Sequence, residues 1–330
     1  LELAWRTMPN VFCAVTGTNG KTTVTELLGH VWRTAGEPVA VAGNLGTPLS
    51  SLAGEVDPAA TIVCEASSFQ LEDTERFAPE CGVLLNIAPD HLDRHIDLES
   101  YLAAKLRVFA NQQASDFAVV NGADPTLASL DLPGGGERID FSERVGEYPT
   151  SLLGDHNAEN AAAAASAAEA MGIAPGSVRE GLATFPGVPH RLERIRERAG
   201  VLYVNDSKAT NVAAATAALR SFDGGVHAIL GGSLKGGGFA DLAQPVAECC
   251  VAAYLVGPAA EPLNRDLAPA WSAGVERGSY EGLPGAVAAA AERARPGEVV
   301  LLAPACASFD AYRDFEERGE HFRRLVEALP

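Results

Sequence analysis

Thr16-Gly17-Thr18-Asn19-Gly20-Lys21-Thr22-Thr23 decides how this chain is read. It ends the apolar run Val11-Phe12-Cys13-Ala14-Val15-Thr16 and leads into a helix-like stretch from Thr22 to Ala35. The order is strand, glycine turn, helix. Glycines let the backbone curl so that successive N–H groups face a phosphate, and the helix N-terminus adds positive potential. In such a turn Lys21 reaches the β- and γ-phosphates of a nucleotide, and the Thr22 hydroxyl ligates Mg²⁺. One departure stands out: the first glycine of the usual G-x-x-x-x-G-K-[ST] spacing falls on Val15. The alternative is an ordinary glycine-rich turn. Gly-x-x-Gly-Lys-Thr-Thr in this context favours an ATP site, with Gly17, Thr18, Asn19, Gly20, Lys21, Thr22 and Thr23 around the phosphates.

Outward from this loop the alternation continues. Apolar runs at Val39–Ala42, Thr61–Cys64, Gly82–Leu85 and Phe117–Val120 are separated by helically patterned segments. Strands alternating with helices predict a largely parallel sheet covered on both faces. Residues 130–150, with Pro133-Gly134-Gly135-Gly136 and scattered charge, read as a hairpin or an irregular excursion. Alanine is the best helix former, so Ala158–Ala170 reads as a helix. Phe185-Pro186-Gly187-Val188-Pro189 reads as a linker. Beyond it, strands are expected at Val201–Val204, His227–Leu230, Ala252–Val256 and Val299–Leu302, and helices near 211–221, 239–249, 283–294 and 316–328. The expectation is an α/β protein: a mostly parallel P-loop-type ATPase domain at 1–188, then a smaller Rossmann-like α/β domain at 189–330.

Composition narrows the function classes. Over 330 residues the net charge is −18, which argues against a general nucleic-acid binder, since that class needs a basic surface. No apolar run approaches the ~20 residues that span a bilayer. The start, Leu1-Glu2-Leu3-Ala4-Trp5-Arg6, has no signal-peptide shape and reads as cut from something longer. Six cysteines without a C-x-x-C pair or a secreted-scaffold spacing point to a reduced cytoplasm. Lysine is rare: Lys21, Lys105, Lys208 and Lys235 stand against 21 arginines. Codon bias is the plain explanation, yet all four fall inside the polar motifs. There a planar guanidinium cannot replace a compact ammonium or an amine open to carbamylation.

Those motifs sit where α/β sheets place ligands, just past strand ends. Glu65 ends one apolar run, and Ser67-Ser68-Phe69-Gln70 follows it. His91 lies in Asn86–His95 after another. Alone, each is more often structural. Together Glu65 and His91 can converge on Mg²⁺, which prefers oxygen ligands, so that a histidine there is unusual. Lys105, on an amphipathic helix, reads by itself as a surface or phosphate-contacting lysine. Asp155 or Asn157 reads as an N-cap. Asn157 and Asn160 share a helical face and suit amide recognition of a base or sugar. In the second domain, Asn205–Asn211, Leu230–Gly237 and Ala303–Asp310 put two lysines, an aspartate, a threonine and a serine on one sheet edge. Ammonium and hydroxyl groups suit an anionic substrate such as a dicarboxylate; capping and turn chemistry is the alternative for the serines and glycines.

Taken together, Thr16–Thr23, Asn86–His95, Glu65-Ala66-Ser67-Ser68-Phe69-Gln70-Leu71-Glu72, Asn205–Asn211 and Pro304–Ser308 resemble the Mur ligase family. Its members are ATP-dependent amide-bond-forming enzymes of peptidoglycan synthesis. The resemblance covers nearly the whole chain and is closest to the branch that adds D-glutamate to UDP-N-acetylmuramoyl-L-alanine. It implies Lys21, Glu65, His91, Lys105 and Lys208 as catalytic residues. Thr22, Glu65, His91 and Lys105 would hold Mg²⁺ at two sites, with Lys105 carbamylated by CO₂. Asn157, Asn160, Arg191 and Asp206 would line the adenine, phosphate and ribose side. Asn44 and Ser67 would meet the muramoyl substrate. Lys208, Thr210, Lys235, Ser308, Phe309 and Phe315 would surround D-glutamate. The resemblance further implies a cytoplasmic monomer. Leu234 stands where many members have Asp, and Phe309 replaces a common Leu, so L-glutamate is an alternative substrate. A nucleotide-binding module without ligase turnover is another, because the family's N-terminal uridine-nucleotide domain is expected just before this chain begins.

Overall fold

The computed structural model describes residues 1–44, 46–88, 94–150, 152, 154, 156–234 and 237–330. His91, Asp155 and Lys235 therefore lie outside the described residues. The chain forms two compact units, Leu1–Pro186 and Gly187–Pro330, dividing inside the Phe185–Pro189 segment. Val188 pairs with Arg191, which ties the end of that segment to the second unit.

The first unit runs α1 (Glu2–Arg6), β1 (Phe12–Thr16), α2 (Lys21–Ala35), β2 (Val39–Gly43), β3 (Thr61–Glu65), α3 (Ser68–Glu72), β4 (Cys81–Leu84), α4 (Leu98–Leu106), β5 (Phe117–Val120), β6 (Glu137–Asp140), α5 (His156–Ala170) and α6 (Pro175–Thr184). Its six strands lie in the order β2-β3-β1-β4-β5-β6, every pairing parallel. The chain leaves β1 to one side and later returns to pair β4 on the other. The turn after β1 therefore opens at the point where strand order reverses, the crevice in which such sheets bind ligands. Phe12, Ile62, Leu84 and Val120 from four strands pack with Phe109 in the apolar core, which removes these large side chains from water and anchors the sheet beneath the crevice. Residues 130–150 do not form a hairpin. They contain β6, paired parallel to β5 as the sheet's edge, then a short 3₁₀ turn at Ser142–Arg144.

The second unit runs β7 (Glu193–Arg198), β8 (Val201–Asn205), α7 (Val212–Leu219), β9 (Val226–Gly231), α8 (Ala243–Cys249), β10 (Cys250–Val256), α9 (Ala260–Asp266), α10 (Ala268–Ser272), β11 (Glu276–Tyr280), α11 (Leu283–Arg293), β12 (Val299–Leu302) and α12 (Phe315–Glu327). Strand order is β11-β10-β9-β12-β8-β7, with β7 alone antiparallel. The carboxyl ends of β8, β9 and β12 are neighbours, so the loops after them form one lip. Tyr203, Ile229, Val300 and Phe322 fill the core below. Among the described residues, no helix is long and apolar enough to cross a membrane.

Candidate active site

The loop after β1 is shaped by two glycines that other residues could not replace. Gly17 has φ +149°, and a Cβ there would lie 3.0 Å from the Leu85 Cβ. Gly20 has φ +84°, and its Cβ would sit 2.4 Å from Asn160 Oδ1. Both conformations are open to glycine and strained for L side chains. Lys21, the first residue of α2, folds back to donate from Nζ to the Gly17 carbonyl (3.0 Å) and the Thr18 carbonyl (2.9 Å). The segment after β4 clamps the loop from the other side. Thr18 N–H donates to the Asn86 carbonyl (3.0 Å), and Asn19 N–H donates to Asn86 Oδ1 (2.8 Å). Ala88 N–H donates to Thr18 Oγ1 (3.0 Å). Asn157 and Asn160 are buried on α5, where Asn160 Nδ2 donates to Asn157 Oδ1 (2.8 Å) and its own carbonyl oxygen faces Gly20. Thr23 lies buried as the third residue of α2.

Glu65, the last residue of β3, is 3% exposed beside this loop. Its Oε2 accepts the Thr22 hydroxyl (2.8 Å), and its Oε1 accepts Asn44 Nδ2 (3.1 Å). The Asn44 approach needs Gly43, whose φ is +130° and whose Cβ would fall 2.2 Å from the Glu65 carbonyl oxygen. A carboxylate with a hydroxyl and an amide oxygen nearby is a hard oxygen donor set, and it fits Mg²⁺. Among the described residues, no group of three His, Cys, Asp or Glu forms a metal cluster, so such a site would draw on Thr22 and Glu65 rather than on a ready cage.

Lys105 corrects the surface reading of that lysine. It lies on α4 and is 1% exposed, with Nζ donating to the Gly17 carbonyl (2.8 Å) and standing 4.4 Å from the Tyr101 ring centroid. Carbonyl dipole and ring face both offset the cost of burying an ammonium. Tyr101 OH meets Thr18 Oγ1 at 3.3 Å, tying the helix to the phosphate loop. Two lysines thus converge on the Gly17 carbonyl. Ser67 is engaged locally: its hydroxyl caps α3 in a capping box with Gln70.

In the second unit, Asp206 begins the loop after β8. Burial pushes its carboxyl up to about 6, against the opposing pull of Arg191, of the Leu192 N–H and of Lys208. Arg191 is held between His190 and Leu192, both of positive φ (61° and 42°). Lys208 N–H donates to the His190 carbonyl (3.0 Å), Thr210 N–H to the Lys208 carbonyl (2.8 Å), and Lys208 Nζ lies 5.9 Å from the Phe315 ring centroid. Ser308 is buried, whereas Phe309 is 72% exposed. Ser233, after β9, pairs its N–H with the Ala307 carbonyl (2.9 Å) and donates its hydroxyl to Asp310 Oδ1 (3.0 Å). Lys208, Thr210, Ser308 and Phe315 therefore gather at one lip of this unit, and Asp206 and Arg191 adjoin it.

Three residues with a structural claim on these sites escape a sequence reading. Asn86 clamps the phosphate loop but in sequence resembles any turn asparagine. Tyr101 carried a signal, since it stands one helical turn before Lys105 on the same face. Arg318, buried under the second lip, carried none among 21 arginines.

Residues 15–132 match the Mur ligase middle domain, and residues 190–306 match the Mur ligase glutamate ligase domain. The chain is 43% identical to the UDP-N-acetylmuramoylalanine–D-glutamate ligase of Pelotomaculum thermopropionicum, covering all of this chain and 77% of that protein. It is 41% identical to the ligase of the same name from Desulfatibacillum aliphaticivorans, covering all of this chain and 78% of that one. Among solved structures, the fold is shared with a UDP-N-acetylmuramoylalanyl-D-glutamyl-2,6-diaminopimelate–D-alanyl-D-alanyl ligase of Acinetobacter baumannii, at TM-score 0.71, 18% identity, and 98% and 77% coverage of the two chains. It is also shared with the MurF ligase of Thermotoga maritima in complex with ADP, at TM-score 0.69, 21% identity, and 98% and 82% coverage.

Proposed function

Because the chain belongs to the Mur ligase family, we propose that it is the ATP-dependent, ADP-forming ligase that joins D-glutamate to UDP-N-acetylmuramoyl-L-alanine in peptidoglycan synthesis. The observation that carries the reading is the Thr22 hydroxyl on Glu65 beneath a phosphate loop, in a chain whose whole length aligns with about three quarters of relatives of that name. Residues 1–188 serve as the ATP domain and residues 189–330 as the glutamate domain. The enzyme acts as a cytoplasmic monomer.

The reaction runs in two displacements. A carboxylate oxygen of the alanyl substrate attacks the γ-phosphorus of ATP, the bond to the β-bridging oxygen breaks, and ADP leaves. The glutamate amine then attacks the acyl carbon, phosphate departs with the carboxylate-derived oxygen, and the amine loses a proton. Lys21 balances charge on the transferring phosphoryl group, and the loop N–H groups orient it. Thr22, Glu65, His91 and carbamylated Lys105 would hold Mg²⁺ at two sites, where the bound metal screens phosphate charge. The Lys105 ammonium first gives up a proton; the free amine then adds to CO₂ and sheds a second proton, giving a carbamate carboxylate where an ammonium stood. Asn44 and Ser67 meet the muramoyl substrate, and Asn157, Asn160, Arg191 and Asp206 the nucleotide. Lys208, Thr210, Lys235, Ser308, Phe309 and Phe315 surround glutamate; ammonium and hydroxyl donors suit its two carboxylates.

Phosphate release with ATP, Mg²⁺ and UDP-N-acetylmuramoyl-L-alanine, with D- or L-glutamate in parallel, tests this reading. Release that requires the D enantiomer is expected, as is ¹⁸O transfer from the substrate carboxylate into phosphate. Release with L-glutamate alone would reassign the amino acid. ATP binding without release in either arm would reduce the chain to a nucleotide-binding module. Depleting CO₂ is expected to lower the rate, with bicarbonate restoring it.

A further inference from the structure

Arg318 is an unusual arginine in this chain. It sits on α12, 4% exposed, and every acceptor it has among the described residues is a hydroxyl or a carbonyl oxygen. Nε donates to Ser207 Oγ (3.0 Å). One terminal nitrogen donates to the carbonyls of Cys306 (3.2 Å) and Ala307 (3.0 Å), and the other to those of Ser207 (2.9 Å) and Cys306 (3.2 Å). The carboxylate whose charge reaches it, Asp310, accepts the Ser233 hydroxyl.

A buried cation without an ion-pair partner is expensive, and a fork of N–H groups is retained where planar geometry is used. Here the fork spans the loop after β8 and the loop after β12. Ser207 extends it by donating its hydroxyl to the Phe315 carbonyl (2.8 Å). The third loop of the lip joins through the Ser233–Ala307 pairing, and Gly232 passes so close that a Cβ would lie 3.1 Å from an Arg318 nitrogen. One guanidinium thus fixes the spacing between the loop bearing Lys208 and Thr210, the loop bearing Ser308, and the start of the helix bearing Phe315.

We propose that Arg318 is the positioning residue of the amino-acid half of the site: its fork sets the spacing of the donor groups that receive the two carboxylates of glutamate. The proposal rests on the reading of the chain as a glutamate-adding ligase. Without the fork the lip loops move apart, so the loss falls first on amino-acid recognition, while the phosphate loop, held by Asn86, Lys21 and Lys105, keeps its own contacts.

The test compares Arg318→Gln, Arg318→Lys and the milder Ser207→Ala with the wild-type chain, by steady-state kinetics and amide hydrogen exchange. Both Arg318 variants are expected to raise KM for glutamate at least tenfold while KM for ATP stays within twofold. Ser207→Ala is expected to raise the glutamate KM about threefold. Faster exchange is expected in 206–210 and 303–310, with β9 and β10 unchanged. Lysine retains the charge and not the fork, so a glutamate KM restored by Arg318→Lys would overturn the positioning role. A purely structural residue would lower kcat, through a smaller active fraction, with both KM values unmoved, and that outcome would also overturn it. Unchanged exchange in the two loops would sink it whatever the kinetics. A wild-type chain that turns over no glutamate would instead fail the ligase reading, while exchange still decides whether the fork holds the loops.

Discussion

At the scale of single residues, Asp206 carries a measurable cost. Its carboxyl titrates near 6 in the folded chain, against 3.8 as the ordinary value, because burial disfavours the charged form. The folded state therefore binds this proton more tightly than the unfolded state. The stabilising contribution is full below pH 4, declines as pH rises toward 6, and is gone above it. Asp206→Asn removes the burden, and its Oδ1 can still accept the Leu192 N–H. Urea unfolding at pH 7.5 should find the variant more stable by up to about 3 kcal/mol, with a flatter stability profile between pH 4 and 6. An unchanged profile would show that this carboxyl does not titrate there. Keeping so costly an aspartate fits a group whose charge is used when Arg191, Lys208 and a ligand surround it.

At the scale of elements, the lip loops depend on how the next helix starts. Asn211 caps α7 by accepting the Ala214 N–H (2.8 Å), and the residues before it are the lip containing Lys208 and Thr210. Asn211→Ala should cost about 1 kcal/mol in urea unfolding, the usual value of a lost N-cap. A variant as stable as wild type would mean that the lip, and not the cap, sets where the helix begins. What a sequence reveals also divides by element. The central strands β1, β3, β4, β5, β8, β9, β10 and β12 stand out as apolar runs because helices cover them on both faces. The three strands without such a run, β6 (Glu-Arg-Ile-Asp), β7 (Glu-Arg-Ile-Arg-Glu-Arg) and β11 (Glu-Arg-Gly-Ser-Tyr), are all sheet edges. These three edges carry charge because an exposed apolar edge invites pairing with another chain, and that same charge hides them from a hydrophobicity reading, whereas the fourth edge, β2 (Val-Ala-Val-Ala-Gly), is uncharged and stands out as an apolar run. The phosphate loop was legible because its chemistry is local. The clamp by Asn86, the burial of Lys105 and the fork of Arg318 arise from contacts across 67, 88 and 111 positions of sequence, and no local spacing encodes them.

At the scale of the whole molecule, the net charge of −18 sets a background of self-repulsion. Salt screens that repulsion within a Debye length, so the chain should gain stability as ionic strength rises, in contrast to a protein held by surface ion pairs. Thermal unfolding should shift upward by a few degrees between 10 and 150 mM NaCl, roughly the effect of 1 kcal/mol in a chain of this size. A downward shift would mean that ion pairs outweigh the excess charge.

The two lysines that close on the Gly17 carbonyl bear on how the protein can be handled. Lys21 and Lys105 make up half of all its side-chain amines, and Lys208 adjoins the other lip. Labels, crosslinkers and resins that couple through amines therefore have few lysines to find, and the three among the described residues all stand at these two loops. Loss of reactivity toward such a reagent when nucleotide is added would read out occupancy directly. Immobilisation is better done through the abundant carboxylates, which leave the amines untouched.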